Sequence, residues 1–261
     1  MANQLRHAWS NRLDVARLPT TFIFMCVVVF IAAVSTTIYF NGSMADEMEM
    51  PGGWRMSMMW MRMPGQTWSL STLSFLLMWL AMMVAMMMPS ALFMFLRTRR
   101  RWLSLCYMTS GYFAIWLIAG FGIYVLGAKF NDATMRSEAL SRAVPLLSGA
   151  ALIAAGVVQF TQWKMKYLIR CRSPFGCNSP FPQGETSFRI GCRQGVDCCA
   201  CCCGLMTAQL ILGIMNPIVM VMVASVIAAE KHLPRPRFTA HLAGATAIVA
   251  GVATTIHWAI L

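Results

Sequence analysis

Residues 197–206 read Asp197-Cys198-Cys199-Ala200-Cys201-Cys202-Cys203-Gly204-Leu205-Met206. Cysteine fills five of six consecutive positions, and the run passes without a turn signal into an apolar segment. This describes a cluster of soft ligands at the mouth of a membrane helix. Half of the chain's ten cysteines sit there, and Cys171, Cys177 and Cys192 lie just upstream.

Working outward, the composition places the whole chain in a membrane class. Of 261 residues, 58% are hydrophobic and only 11% are charged, which does not suit a soluble globule. A helix needs about 20 apolar residues to cross a hydrocarbon core. Six runs meet that need: Thr20 to Phe40, Leu73 to Leu96, Leu103 to Leu126, Val144 to Gln162, Gly204 to Ala229 and Thr239 to Ile260. The expected fold is an all-α membrane protein, a bundle of about six transmembrane helices. Residues 1–19 form a basic cytoplasmic tail, and 20–261 a single polytopic domain with a Met-rich outer loop over 41–66 and a Cys-rich inner loop over 163–203. No small-residue cleavage site follows the first run, so it is read as a retained helix rather than a signal peptide.

The net charge of +12 is explained by the positive-inside rule rather than by nucleic acid, and no nucleic-acid partner is expected. With the N-terminus inside, Arg6, Arg12, Arg17, Arg97, Arg99, Arg100, Arg101, Lys164, Lys166, Arg170, Arg172, Arg189 and Arg193 gather on the cytoplasmic side. Six crossings then put both termini in the cytoplasm of a bacterial cell, with the protein in its inner membrane among membrane lipids. Lys231, Arg235 and Arg237 fall on the outer side in this scheme and count against it.

Methionine provides a second set of soft ligands. The outer loop holds Met48, Met50, Met56 and Met58 among acidic and tryptophan residues. Thioethers remain competent ligands where thiols would oxidise, and they favour Cu(I) over hard cations. An interfacial belt of Met and Trp is the structural alternative. In the second apolar run Met82 with Met86, and Met83 with Met87, are four apart and share helix faces. Such pairs suit the passage of a monovalent ion, and they equally suit packing.

The cysteine run offers two pairs at i,i+3, Cys198 with Cys201 and Cys199 with Cys202. In the first turn of a helix, each pair would aim two sulfurs at one ion near the positive end of the dipole. Cys203, Cys171, Cys177 and Cys192 extend the set. Copper as Cu(I) needs only two or three sulfurs, whereas zinc is compatible with four thiolates. Lipidation of vicinal cysteines is the competing explanation. Asn216-Pro217 interrupts the fifth run, and Glu230-Lys231-His232 closes it at the outer interface, either as a metal or proton site or as an ordinary charged helix end.

With these residues in view, the chain resembles a bacterial family of predicted metal-binding integral membrane proteins, a domain of unknown function. The likeness runs from Trp68 to Leu261. It rests on Met82 to Ser90, Lys166 to Pro174, Cys198 to Met206, Gly213-Ile214-Met215-Asn216 and Glu230-Lys231. The resemblance implies that Cys171, Cys198, Cys201 and Cys202 are the family cysteines, together with Asn216, Glu230 and Lys231. Cys199 and Cys203 depart from it, standing where the family has an apolar residue and a tryptophan.

The reading that follows is a membrane protein handling Cu(I) for uptake, transfer or delivery, with a copper protein or a second copy of itself as partner. An oxidase or monooxygenase subunit is the enzyme alternative, and a lipidated assembly protein the structural one. Four histidines in all leave few nitrogen ligands for reactive copper.

Overall fold

In a computed structural model, residues 20–43, 47–49, 54–57, 67–96, 102–172, 186–214 and 216–260 are described. They form α1 (Thr20–Ser43), β1 (Glu47–Glu49), β2 (Arg55–Ser57), α2 (Trp68–Leu96), α3 (Trp102–Arg136), α4 (Glu138–Val158), α5 (Gln162–Arg172), α6 (Ser187–Gly213), α7 (Pro217–His232) and α8 (Pro236–Ile260). Six of these helices, α1 to α4, α6 and α8, are long and apolar enough to cross a membrane. The fold class expected from the sequence holds. To it is added one antiparallel hairpin of two short strands, in which Met48 stands opposite Met56.

Small residues set the helix packing. Glycine lets two backbones approach closely, and an ideal Cβ at Gly191 would meet the Met108 carbonyl oxygen at 1.9 Å. One at Gly111 would meet that of Phe188 at 2.3 Å. Gly195 lies against the Tyr112 carbonyl, so α3 and α6 run side by side in the same direction. On the other flank Gly149 meets Gly251, and Gly156 meets Gly244, so α4 and α8 are antiparallel. The small faces of the fourth apolar run find their partner here. Helix α2 runs antiparallel to α3, with the Trp79 indole donating to the Trp116 carbonyl at 2.9 Å and the Tyr124 hydroxyl donating to Ser71 at 3.0 Å.

Two expected boundaries move. Residues 163–172 and 187–203, expected within a loop, are helical. The fifth apolar run does not continue through Asn216-Pro217 but breaks there. Gly213 takes a φ of 118°, a left-handed conformation that ends α6 without strain from a side chain. Asn216 then caps α7 by accepting from the Ile218 and Val219 amides at 3.0 and 3.3 Å, with Pro217 in the first helical turn.

The break folds α7 back along α6. At 16 residues α7 is about 24 Å long, and it returns Lys231 to the level of Cys198 in α6, with Glu230 against Lys164 of α5. The expectation that these two residues lie at the opposite interface is therefore corrected. Cys26 in α1 is within electrostatic reach of Cys106 near the start of α3, whereas α8 ends beside the early part of α4, which follows directly from the end of α3. Thr20 and Ile260 lie at opposite ends of the bundle.

A candidate metal centre of buried cysteines

The centre is built where α5, α6 and α7 meet. After α4 ends, Gln159 and Phe160 form a turn, and the Thr161 hydroxyl accepts from the Lys164 amide at 3.3 Å to start α5. The buried residues of α5 are Lys164, Met165, Leu168 and Cys171, a stripe at helical spacing that delivers Cys171 to the core. On α6 the residues at i, i+3 and i+4 share a face, and Cys198, Cys201 and Cys202 are each 1% exposed.

The sulfurs converge. Cys201 Sγ is 3.6 Å from Cys171 Sγ and 3.5 Å from Cys202 Sγ, and Cys198 Sγ is 4.0 Å from Cys202 Sγ. The ligand atoms of Cys171, Cys198 and Cys201 all lie within 4.8 Å of one another, a grouping that can hold a metal ion. Among the described residues, no histidine joins such a group. The thiol of Cys171 is raised above its ordinary value, first by its hydrogen bond with Cys198 and then by burial.

Cys198 carries further donors. The Tyr112 hydroxyl donates to its sulfur at 2.9 Å, and Lys231 Nζ does so at 3.1 Å. Lys231 also donates to Ser90 Oγ at 3.2 Å, and Ser90 in turn donates to the Met87 carbonyl at 3.0 Å. Beside this group Lys164 Nζ and Glu230 Oε1 form an ion pair of 2.6 Å with both side chains 1% exposed. Arg172 donates to the Glu230 backbone carbonyl at 2.7 Å.

The sequence-derived set is thus divided. Cys171, Cys198, Cys201 and Cys202 are brought together, with Glu230 and Lys231 alongside. Cys192, Cys199 and Cys203 are half-buried on the flank of α6; the expected pairing of Cys199 with Cys202 is not formed, because only Cys202 faces the core. Asn216 is exposed and serves as a cap, about 22 Å along α6 from the level of Cys198. Cys177, Met50 and Met58 lie outside the described residues, and for Met48 and Met56 the strand register alone is described. The cysteines are also not in a first turn. Cys198 lies eleven residues past Ser187, about 16 Å into α6, beyond the reach of the dipole at the helix start.

Met82, Met83, Met86 and Met87 are 2%, 0%, 4% and 0% exposed. Met82 Sδ accepts from Gln209 Nε2 at 3.8 Å, and among the described residues Gln209 Oε1 has no hydrogen-bond partner. The four methionines therefore occupy α2 between the level of Gln209 and the Ser90 to Lys231 contact beside Cys198. Tyr112, Ser90, Lys164 and Gln209 were not singled out by sequence. Lys164 had a usable signal, since it precedes Cys171 by two helical turns, and Ser90 closes one of the stretches that carry the family resemblance; Tyr112 and Gln209 had none.

Thiols from two helices, buried together inside a bundle long enough to cross a membrane, form a group that can hold a soft metal ion. The model of PpoB2, a copper chaperone family, matches residues 76–254. The chain belongs to that family. The matched region contains every residue of the cysteine centre and begins after the Met-rich hairpin. No curated protein and no solved structure matches the chain.

Proposed function

We propose that this chain is an integral membrane chaperone for Cu(I), and that Cys171, Cys198, Cys201 and Cys202 form its principal binding site. The observation that carries the reading is the convergence of these four buried sulfurs. Thiolate groups of this kind select Cu(I) from the cellular metals, and successive two- and three-coordinate sites let the ion move by ligand exchange without redox chemistry. Zinc would need all four sulfurs as thiolates.

In this reading Met48, Met50, Met56 and Met58 collect the ion outside the membrane. Met82, Met83, Met86 and Met87 carry it along α2 to the cysteine centre. Cys177, Cys192, Cys199 and Cys203 are auxiliary thiols near the exit, where a copper protein, or a second copy of this chain, takes the ion. The basic end of the bundle faces the bacterial cytoplasm across the inner membrane. Folding α7 back supports that orientation, because it brings Lys231, Arg235 and Arg237 to the basic end and removes the objection they raised. The N-terminus is then cytoplasmic and Ile260 external.

The test is the metal content of detergent-purified protein under reducing, copper-replete conditions. The native chain should retain copper, and a variant with Cys171, Cys198, Cys201 and Cys202 changed to serine should lose it. Equal copper in both would refute the assignment.

A further inference from the structure

The position of Lys231 bears on which ions the centre accepts. Its ammonium sits 3.1 Å from Cys198 Sγ, and among the described residues it is the cation in hydrogen-bond contact with a sulfur of the centre. The neighbouring cation, Lys164, is already neutralised by Glu230 at 2.6 Å. Among the described residues, Lys231 has no carboxylate in hydrogen-bond contact; its partners there are Ser90 and Cys198.

Charge balance then discriminates between ions. Two cysteine sulfurs bound as thiolates, their protons released to solvent, sum with a monovalent ion to one negative charge. The Lys231 ammonium brings that total to zero. A divalent ion held by the same two sulfurs is already neutral, and Lys231 leaves a net positive charge. Uncompensated charge beside buried sulfurs is disfavoured, so the fixed ammonium favours the monovalent complex. Size and softness do not make this distinction, because Ag(I) and Hg(II) are both soft ions that take two thiolates in line.

We propose that Lys231 is a specificity-determining residue that selects monovalent ions for the cysteine centre, acting as the tethered counter-cation of a two-thiolate complex. This rests on the copper reading of the site. The side chain itself does not ligate the ion. Tyr112 and Ser90 hold the arrangement, the first by its hydroxyl on Cys198 and the second by anchoring Lys231.

The experiment is a competition between Ag(I) and Hg(II) for the full-length protein in detergent. It compares the native chain with K231M, K231Q and K231R, with helical content and elution volume confirming the fold of each. The ratio of Ag(I) to Hg(II) affinity should fall in K231M by roughly ten- to a hundredfold, the size expected from loss of one nearby charge in a partly screened site. It should fall similarly in K231Q and stay within about twofold of native in K231R, which keeps the charge. An unchanged ratio in a folded uncharged variant overturns the proposal, as does an equal fall in K231R, which would make the effect one of shape. A C198S variant separates the underlying reading: if it binds both ions as the native chain does, the cysteine centre itself is wrongly assigned.

Discussion

Lys164 and Glu230 join α5 to α7 through a 2.6 Å ion pair, across 66 residues of sequence and with both side chains 1% exposed. Because neither charge reaches water, removing one partner strands the other. Glu230→Leu or Lys164→Met should destabilise the protein by about 3–5 kcal/mol, while the double variant K164M/E230L should recover most of that loss. Denaturation in detergent, run as a double-mutant cycle, checks this. Additive losses would show that the pair does not hold the two helices together.

The parallel contact of α3 with α6 depends on Gly111, Gly191 and Gly195. Gly191→Ala forces a methyl against the Met108 carbonyl and should cost about 1–3 kcal/mol or more, since backbone must shift. Gly122→Ala, on the same α3 but with nothing within 4 Å of the added carbon, should leave stability unchanged. Thermal denaturation of the two variants side by side reads the difference, and equal behaviour would contradict the packing described.

Metal binding should depend on pH through Cys171. Its thiol is raised above the ordinary value of 9.0, so in the metal-free protein it contributes stability that is fully present below that value. The contribution is lost as pH rises through the higher folded value. At neutral pH Cys171 holds its proton, and an ion bound through it must release that proton. Affinity for Cu(I) should therefore rise with pH between about 6 and 9, and Cys171→Ser should flatten the dependence by about one proton. Titrating affinity against pH in both proteins gives the slopes directly; identical slopes would remove Cys171 from the ligand set.

With α7 folded back along α6, the proposed topology puts the two ends of the chain on opposite sides of the membrane. Reporter domains fused before Thr20 and after Leu261 should report opposite sides of the membrane. Asn216→Ala, which removes the cap on α7, should cost about 1 kcal/mol without changing that topology. Reporters on the same side would restore the unbroken helix.

By itself the sequence determined the class. Apolar runs of spanning length dictate helices, because only a helix or closed barrel satisfies its backbone away from water. The positions 171, 198, 201 and 202 were legible as soft ligands because residue type fixes softness, and helical spacing placed 198, 201 and 202 on one face. What only the tertiary structure decided is how far the helices extend and which distant residues meet them. Local signals around Asn216-Pro217 fit either a kinked helix or a reversal, and the reversal is fixed by the packing of α7 against α6. That packing brings Lys231 to Cys198 and Glu230 to Lys164. It also places Tyr112 and Ser90 at the centre, through close approaches of α3 and α2 that no periodicity encodes. Side-chain chemistry is a local property of the chain; the burial and charge pairing that turn it into a site are properties of the assembled bundle.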